Sequence, residues 1–284
     1  MNPHQLIHRY SPEPVLRHPM ALLQDMATDL WAGRGLAWRL FIRDFSAQYR
    51  QSYLGYFWAF LPPLVNSLTF VLLTSLGMFK TSPTGMPYAA FAMIGTLLWQ
   101  VFADALAMPL ASLNQGKQML AKINFPRESL MVAGLLMVLC NFLVRLVLLV
   151  AVLAWFRITP GWGILFFPLA VAGLVLAGSS IGLLLAPLGS IFGDIGRAIP
   201  MITAVWMLLT PVVYPAKTVG WAAIISIWNP ISPLIITARE ALSGYPLSHL
   251  MAFSSVFVFS LVFLLLGWIG FRITIPHLIA RMGG

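Results

Sequence analysis

The sequence predicts an all-α integral membrane protein with six transmembrane helices, an N-terminal amphipathic interfacial helix and a re-entrant helix pair before the last span. The first observation is composition: 60% of the 284 residues are hydrophobic and only 9% are charged, a balance that no soluble core requires. The second is a series of apolar stretches of about 20 residues, the length that crosses a bilayer. The third is the position of the basic residues, nearly all of which lie between these stretches.

The chain is expected to begin with a cytoplasmic tail and an amphipathic helix, together residues 1–55. Over 36–50, at 100° per residue, apolar side chains fall on one face and arginines on another. The apolar face comprises Trp38, Phe41, Ile42, Phe45 and Tyr49, and the basic face comprises Arg39, Arg43 and Arg50. Such a helix lies flat at the lipid headgroups, with its rings among acyl chains and its guanidiniums among phosphates.

A six-span transmembrane domain is expected at 56–271, followed by a cytoplasmic tail at 272–284. The predicted spans cover 56–79, 88–110, 129–156, 164–188, 198–214 and 250–271. Within 215–249, an apolar stretch is interrupted by Asn229-Pro230 and Ser232-Pro233. Because proline leaves backbone groups unsatisfied in lipid, we expect two short helices that dip into the outer membrane face instead of a seventh span.

The net charge of +9 indicates membrane topology and not nucleic-acid binding, because of where the charges lie. With both termini in the cytoplasm, twelve of the 17 lysines and arginines fall inside and four fall outside. This asymmetry follows the positive-inside rule and supports the six-span arrangement. The remaining one, Arg145, lies within a span, as does Asp104. Because intramembrane charges usually find partners, a structural ion pair is favoured over a role in substrate passage.

The loop predicted at 111–128 carries the features of a docking surface. Phe125 supplies an aromatic anchor, Pro126 stops a helical turn, and Arg127 and Glu128 place charges beside it. A loop that only returned the chain would not need these residue types. From the residues alone, docking and a solvated loop remain equally open.

Three motifs along the chain carry a family resemblance. The first is Tyr-Arg-Gln-Ser-Tyr-Leu-Gly-Tyr-Phe-Trp-Ala at 49–59, followed by Pro62, and the second is Ile-Asn-Phe-Pro-Arg-Glu at 123–128. The third combines Thr-Pro-Val-Val-Tyr-Pro at 210–215, Trp-Asn-Pro-Ile-Ser-Pro at 228–233 and Ala-Arg-Glu-Ala-Leu-Ser-Gly at 238–244. In this order, from about residue 39 to 271, the chain resembles the transmembrane subunits of ABC-2 type exporters. The likeness is strongest to the branch that exports O-antigen, capsular polysaccharide and teichoic acid.

The resemblance implies roles for particular residues. The coupling element that inserts into an ATPase subunit would be Asn124, Phe125, Pro126, Arg127 and Glu128. The interfacial helix would touch the same subunit through Arg39, Arg43 and Arg50. A re-entrant pair capping the outer end of the channel would include Trp228, Asn229, Pro230, Arg239 and Glu240. Phe192-Gly193-Asp194 stands where the family often has Phe-Arg-Asp, which puts a contact at that loop in doubt.

The chain is expected to be a non-catalytic permease with no cofactor or metal of its own. Gly116-Lys117 is followed by Gln and lacks the upstream glycine of a P-loop, so ATP and Mg would be bound by a separate subunit. The resemblance implies a homodimer with two copies of a P-loop ATPase, located in the bacterial inner membrane, that exports a lipid-linked glycan. A drug or small-lipid exporter of the same group is the alternative, and an ion-coupled secondary transporter is less favoured.

Aromatic side chains are candidates for the wall of a glycan channel, because the apolar faces of sugars stack on aromatic rings. The candidates are Tyr53, Tyr56 and Trp58 near the first span, and Trp206 and Tyr214 in the fifth. Tryptophan and tyrosine also collect at membrane interfaces, so a position facing lipid remains open for each.

Gly178-Ser179-Ser180-Ile181-Gly182 formally matches the Gly-x-Ser-x-Gly pattern of serine hydrolases. An intramembrane serine protease would need a histidine at matching depth to activate the serine, and all five histidines lie outside the predicted spans. The same residues read as two glycines four positions apart, a pattern typical of closely packed membrane helices. We therefore expect Gly178 and Gly182 to serve helix packing.

Overall fold

The computed structural model describes residues 19–49, 57–76, 85–122, 125–216 and 220–282. Within these ranges the regular secondary structure is helical and no strand occurs, which confirms the predicted all-α class. The α-helices are α1 Pro19–Tyr49, α2 Phe57–Ser75, α3 Tyr88–Lys122, α4 Glu128–Trp155, α5 Phe167–Ile191, α6 Gly193–Leu209, α7 Trp221–Trp228, α8 Ile231–Ser243 and α9 Leu250–Met282, and a 3₁₀-helix at Trp162–Phe166 leads into α5.

Among the described residues, four helical segments are long and apolar enough to cross a membrane. They are Tyr88–Lys117 in α3, Glu128–Trp155 in α4, Trp162–Ile191 in the 3₁₀-helix and α5, and Leu250–Ile275 in α9. These segments correspond to the predicted second, third, fourth and sixth spans and confirm a multi-helix membrane protein. The helices at the predicted first and fifth spans, α2 with 19 residues and α6 with 17, fall outside this group. A total of six spans therefore stays a prediction.

The prediction of a loop at 111–128 is wrong for most of this segment, because α3 continues to Lys122. Leu113, Gly116 and Leu120 are buried at helical spacing, whereas Asn114 and Gln115 are exposed. A Cβ atom on Gly116 would lie 2.6 Å from Leu130 Cδ1, so α3 and α4 pack closely here. The polar composition of this segment thus reflects one exposed face of an amphipathic helix.

Both terminal helices are longer than predicted. α1 begins at Pro19 instead of 36, because Leu22 and Met26 extend its buried side towards the N-terminus. α9 continues to Met282, so the tail predicted at 272–284 is helical up to that residue. Phe271 and Ile275 are fully buried in this part of α9, and their packing explains why the helix does not stop at the end of the apolar stretch.

The loop predicted between the fourth and fifth spans, at 189–197, is reduced to a single residue. α5 ends at Ile191, Phe192 is extended with φ −108° and ψ 102°, and α6 begins at Gly193. Asp194 lies in the first turn of α6, where a carboxylate is stabilised by the helix dipole. The polar residues that suggested a loop therefore begin a helix.

α3 and α5 form the centre of the bundle, and α4 and α9 lie at its periphery. In the most apolar part of each segment, 72% of α3 and 67% of α5 are buried, against 22% of α4 and 17% of α9. The peripheral helices expose large apolar side chains such as Leu143 and Val147 on α4 and Phe259 and Leu266 on α9. A surface of this kind is suited to lipid.

Two glycines allow α5 to approach α3, which confirms their predicted packing role. A Cβ atom on Gly178 would lie 2.5 Å from the carbonyl oxygen of Phe102, and one on Gly182 would lie 2.9 Å from Pro109 Cγ. Ser180, between them, is buried and donates a hydrogen bond to the carbonyl of Ala177 at 2.9 Å. The hydroxyl is therefore committed to its own helix.

Candidate functional site

Two polar clusters lie at opposite ends of the bundle. The length of α3 lies between them: its 35 residues span about 50 Å at 1.5 Å per residue. The Arg272 cluster consists of Asp29, Glu128 and Arg272, next to the turn that follows the C-terminal end of α3. The Arg239 cluster consists of Arg239, the backbone carbonyls of Pro211 and Val212 and the Phe91 ring. It lies beside the N-terminal end of α3 and joins α6 to the two short helices. The predicted site residues are distributed between these ends and the middle of the spans.

The Arg272 cluster joins three helices through one guanidinium. Arg272 Nη1 donates to Glu128 Oε1 at 2.8 Å, and Arg272 Nη2 lies 2.8 Å from Asp29 Oδ2. Glu128 is 5% exposed and is the first residue of α4, where the helix dipole also favours its negative charge. Charge-assisted bonds of this length are the strong ones. The cluster thus connects α1, α4 and α9.

A second contact fixes α1 against the start of α4. Ser129 Oγ donates to the carbonyl of Gly33 at 3.2 Å, and both residues are buried. A Cβ atom on Gly33 would overlap Ser129 Oγ and lie 3.5 Å from Pro126 Cβ. A side chain at position 33 would therefore displace the Ser129 hydroxyl from this hydrogen bond.

The predicted docking segment divides into an accessible part and a buried part. Phe125, Pro126 and Arg127 are half-buried, and the Phe125 ring packs against the hydrophobic core. Glu128 is buried in its ion pair with Arg272, so its carboxylate is turned to the protein interior. Asn124 lies outside the described residues. Whether 124–128 docks into an ATPase stays a prediction, and Phe125 to Arg127 are the described residues accessible for it.

The interfacial face predicted for α1 is only partly free. Trp38 and Ile42 are exposed, and so are Arg39 and Arg43, the last paired with the adjacent Asp44 at 2.8 Å. The prediction that Phe41 faces the lipid is wrong. Its side chain packs into the protein core and is 8% exposed. Its ring centroid lies 5.3 Å from that of Trp38 and 5.7 Å from that of Phe45. Arg50 lies outside the described residues.

Asp104 and Arg145 form an ion pair between α3 and α4. Arg145 Nη2 lies 2.8 Å from Asp104 Oδ2, and Asn141 Nδ2 donates to the same oxygen at 3.3 Å. The Asp104 side chain is 29% exposed, and the Arg145 side chain is 11% exposed. Pairing reduces the cost of placing each charge in an apolar environment.

Asn229 is the centre of hydrogen bonding where the two short helices meet. The residue is 7% exposed and lies between α7 and α8, immediately before Pro230. Its side-chain oxygen accepts from Trp206 Nε1 at 3.1 Å and from the backbone N–H of Ile231 at 3.1 Å. Its amide nitrogen donates to Thr210 Oγ1 at 2.7 Å. The Asn-Pro break predicted from the sequence thus connects the short helices to the end of α6.

Arg239 is buried against backbone carbonyls. Its Nη1 donates to the carbonyl of Pro211 at 3.1 Å and its Nη2 to that of Val212 at 2.5 Å. The guanidinium carbon lies 3.7 Å from the centroid of the Phe91 ring, a cation–π contact. Arg239 therefore holds the turn after α6 against α3 and α8. The next residue, Glu240, accepts a hydrogen bond from the backbone N–H of Ser248 at 2.9 Å.

The candidate channel aromatics occupy different environments. Trp206 is half-buried, with its ring edge-on to Phe102 at 5.4 Å and to Trp99 at 6.3 Å. The Tyr214 hydroxyl donates to the carbonyl of Leu208 at 3.0 Å. Trp228, which is predicted for the outer cap and not for the channel, is 83% exposed. Trp58 lies in α2, whereas Tyr53 and Tyr56 lie outside the described residues. A common channel wall for these rings stays a prediction.

Sequence reasoning missed Asp29 and Asn141 and recognised Arg272 only as a topological charge. No local pattern indicates the partners of these residues, because they come from distant segments: Arg272 and Glu128 are 144 positions apart. Asp29 is one of three aspartates in α1, so the local sequence does not single it out.

The long apolar helices and the ion pair between two of them define a helical membrane protein. Comparison with known families identifies it further, because the ABC-2 type transporter family matches residues 36–243. The chain belongs to this family. Its members are transmembrane subunits that normally pair with an ATP-binding subunit and are generally non-catalytic.

Two relatives carry names that describe glycan transport. The chain is 26% identical over 219 residues to the O-antigen export system permease protein RfbA of Myxococcus xanthus, covering 76% of this chain and 83% of the relative. It is 22% identical over 236 residues to the polysialic acid transport protein KpsM of Escherichia coli, covering 80% of this chain and 89% of the relative.

Proposed function

We propose that this chain is the permease subunit of an ATP-driven exporter that moves a lipid-linked polysaccharide of the O-antigen, capsule or teichoic-acid type across the bacterial inner membrane. The observation that carries this proposal is the family match over 36–243 together with similarity to two proteins named for glycan transport. The length of the alignments supports the proposal, because each relative aligns with about three quarters or more of this chain.

The proposed topology has six spans with both termini in the cytoplasm. α2 and α6 would complete the four long apolar segments, and α7 and α8 would form the re-entrant pair at the outer face. The length of these two, 8 and 13 residues, supports this, since a span needs about 20. The Arg272 cluster would then lie at the cytoplasmic end and the Arg239 cluster at the outer end.

The proposed assembly is a homodimer of this chain with two ATPase subunits. Each ATPase would bind ATP and Mg and contact residues 124–128, as well as Arg39, Arg43 and Arg50 of the interfacial helix. The partial exposure of Phe125 to Arg127 and the exposure of Arg39 and Arg43 support this contact. An aromatic residue surrounded by charges is a common binding anchor.

Transport would follow from movement of the docking segment when the ATPase binds and hydrolyses ATP. The movement would rock α2 and α6 and open a path for the glycan between the two permeases. α6 supports this role, because Met201, Val205 and Leu209 form an exposed apolar face available for a second copy or for lipid. Aromatic side chains such as Trp206 would contact the glycan along the path.

The test is purification of the tagged full-length chain from native membranes, followed by mass spectrometry of its protein and lipid partners. Recovery of a P-loop ATPase at one copy per permease, with a glycan on a lipid carrier, is the expected result. A drug or small lipid in place of the glycan would overturn the substrate assignment. A chain recovered alone, which transports in response to an ion gradient, would overturn the ATP-driven class.

A further inference from the structure

The end of α9 is joined to two segments that lie far from it in the sequence. α9 packs along α5, and also contacts α8 and α3. Among the described residues, its backbone makes little direct contact with α1 or α4. The Arg272 side chain spans this gap and reaches a carboxylate on each of the two helices. Among the described residues, Arg272 is therefore the side chain whose ion pairs join the end of α9 to both helices.

The chemistry of Arg272 suits this position. A planar guanidinium presents several N–H groups in fixed directions, so Nη1 and Nη2 can serve different carboxylates at the same time. Both distances are 2.8 Å, within the range of charge-assisted bonds. A lysine has a single ammonium nitrogen and cannot reproduce this fork.

The two links differ in their access to water. Glu128 is 6% exposed as a side chain, whereas Asp29 and Arg272 are 23% and 21% exposed. An ion pair away from water is screened less, and an unpaired buried carboxylate is costly. The link from α9 to the docking segment is consequently the firmer one, and the link to α1 is the easier one to release.

We infer that Arg272 is a positioning residue that holds the docking segment and the interfacial helix to the end of the last membrane helix. A displacement of residues 125–128 by a bound partner is then transmitted to α9 through Glu128, while the ion pair between Asp29 and Arg272 can open without breaking that path. The structural part of this inference stands on the cluster itself. Its mechanical consequence rests on the proposed function, in which the docking segment meets an ATPase.

Hydrogen exchange of the full-length chain in nanodiscs, read by mass spectrometry, tests the positioning role. The variants are Arg272→Gln, Glu128→Gln and Asp29→Asn. Arg197→Gln is the matched control, because it removes one charge from a surface ion pair whose side chains are 87% and 95% exposed. Exchange is compared at 126–132, at 24–36 and, as an internal reference, at 94–106 in α3.

The expected pattern separates the two links. Glu128→Gln accelerates exchange at 126–132 alone, Asp29→Asn accelerates it at 24–36 alone, and Arg272→Gln accelerates both by about tenfold, since a bond to a charged group contributes enough for that change. Residues 94–106 and the Arg197→Gln variant remain as in the wild type. The inference would be overturned if exchange rates in Arg272→Gln matched those of the control. It would also be overturned if all three variants accelerated exchange at the same segments. If Arg272→Gln does not fold, the two carboxylate variants still give the pattern.

The mechanical consequence is tested in the complex with the partner ATPase. ATP hydrolysis by the complex is divided by that of the ATPase subunit alone. Arg272→Gln is expected to retain ATPase binding and to lower this ratio about tenfold. Arg272→Lys is expected to restore part of the ratio. An unchanged ratio would overturn the transmission role. If the wild-type chain recovers no ATPase, the proposed function fails, whereas the exchange pattern still decides whether Arg272 positions the two segments.

Discussion

At one end of the bundle Arg272 faces two carboxylates from different helices, and at the other end Arg239 faces two backbone carbonyls and the Phe91 ring. Each arginine joins segments that lie far apart in the sequence. The hydrogen-bond partners of Arg272 are carboxylate side chains, which substitution can remove, whereas those of Arg239 are backbone carbonyls, which it cannot.

The two ends also differ in the groups that their polar residues satisfy. The Arg239 cluster satisfies the carbonyls of the turn at 211–212, which follows the end of α6. Asn229 satisfies Trp206, Thr210 and the start of α8 in the same region. Buried backbone groups outside regular helix need such partners. The Arg272 cluster instead connects side chains of three helices.

Arg272→Met is expected to have the largest effect on stability. The substitution leaves the buried Glu128 and the half-buried Asp29 without their cation, and loss of one partner from a buried ion pair costs about 3–5 kcal/mol. Unfolding of the purified chain in detergent measures the change. Arg197→Met is the control and should cost less than about 0.5 kcal/mol, because its side chain is exposed. Equal losses in the two variants would contradict the role of the cluster.

Arg239→Met is expected to cost about 2–3 kcal/mol, because it leaves two buried carbonyls without donors. It should cost less than Arg272→Met, since no uncompensated charge remains in the interior. The same unfolding measurement decides the order. A larger loss than for Arg272→Met would reverse the comparison and assign the main electrostatic role to the Arg239 end.

Removing both charges of the firmer link sharpens the difference further. The double variant Glu128→Gln with Arg272→Gln should lose only about 1–2 kcal/mol, because two neutral amides replace the buried ion pair and the carboxylate that stays unpaired, Asp29, is partly exposed to water. No equivalent repair exists at the other end, where the hydrogen-bond partners of Arg239 are backbone groups. A double variant as unstable as Arg272→Met would show that the loss does not arise from an unpaired Glu128 carboxylate.

Arg43→Gln is expected to have the smallest effect, within about 0.5 kcal/mol. Within the part of the chain that the structure describes, Arg43 pairs with the adjacent Asp44, its side chain is 48% exposed, and exposed pairs contribute little. The unfolding measurement should give values within error of the wild type. A loss comparable to that of Arg239→Met would indicate a contact of Arg43 inside the folded chain.

Features that depend on neighbouring residues were predictable from the sequence. The long apolar stretches, the close packing at Gly178 and Gly182 and the break at Asn229-Pro230 all appear where the patterns indicated them. Each follows from local chemistry: helix length, the absence of a side chain, or a missing backbone donor. The polar stretch at 111–122 was misread, because an amphipathic helix that leaves the apolar zone has the same composition as a loop.

The candidate site was predictable in its residues and less so in its geometry. Glu128 stood out beside Phe125 and Arg127 as part of one charged surface, yet its carboxylate turns inward to Arg272. Phe41 was expected to face lipid, yet it packs into the core. Helical periodicity tells which residues share a face, but it does not tell whether protein or lipid covers that face.

The amino-acid sequence by itself determined that this protein is a helical membrane protein of the ABC-2 type, where its apolar helices lie and where the chain between α6 and α9 breaks. These properties arise from interactions over a few residues and from the apolar length that a bilayer demands. Only the tertiary structure decided that one guanidinium near the C-terminus pairs with carboxylates on both α1 and α4, since Arg272 and Glu128 are 144 positions apart. Contacts at such separations depend on the packing of all the intervening helices, so no local pattern contains them.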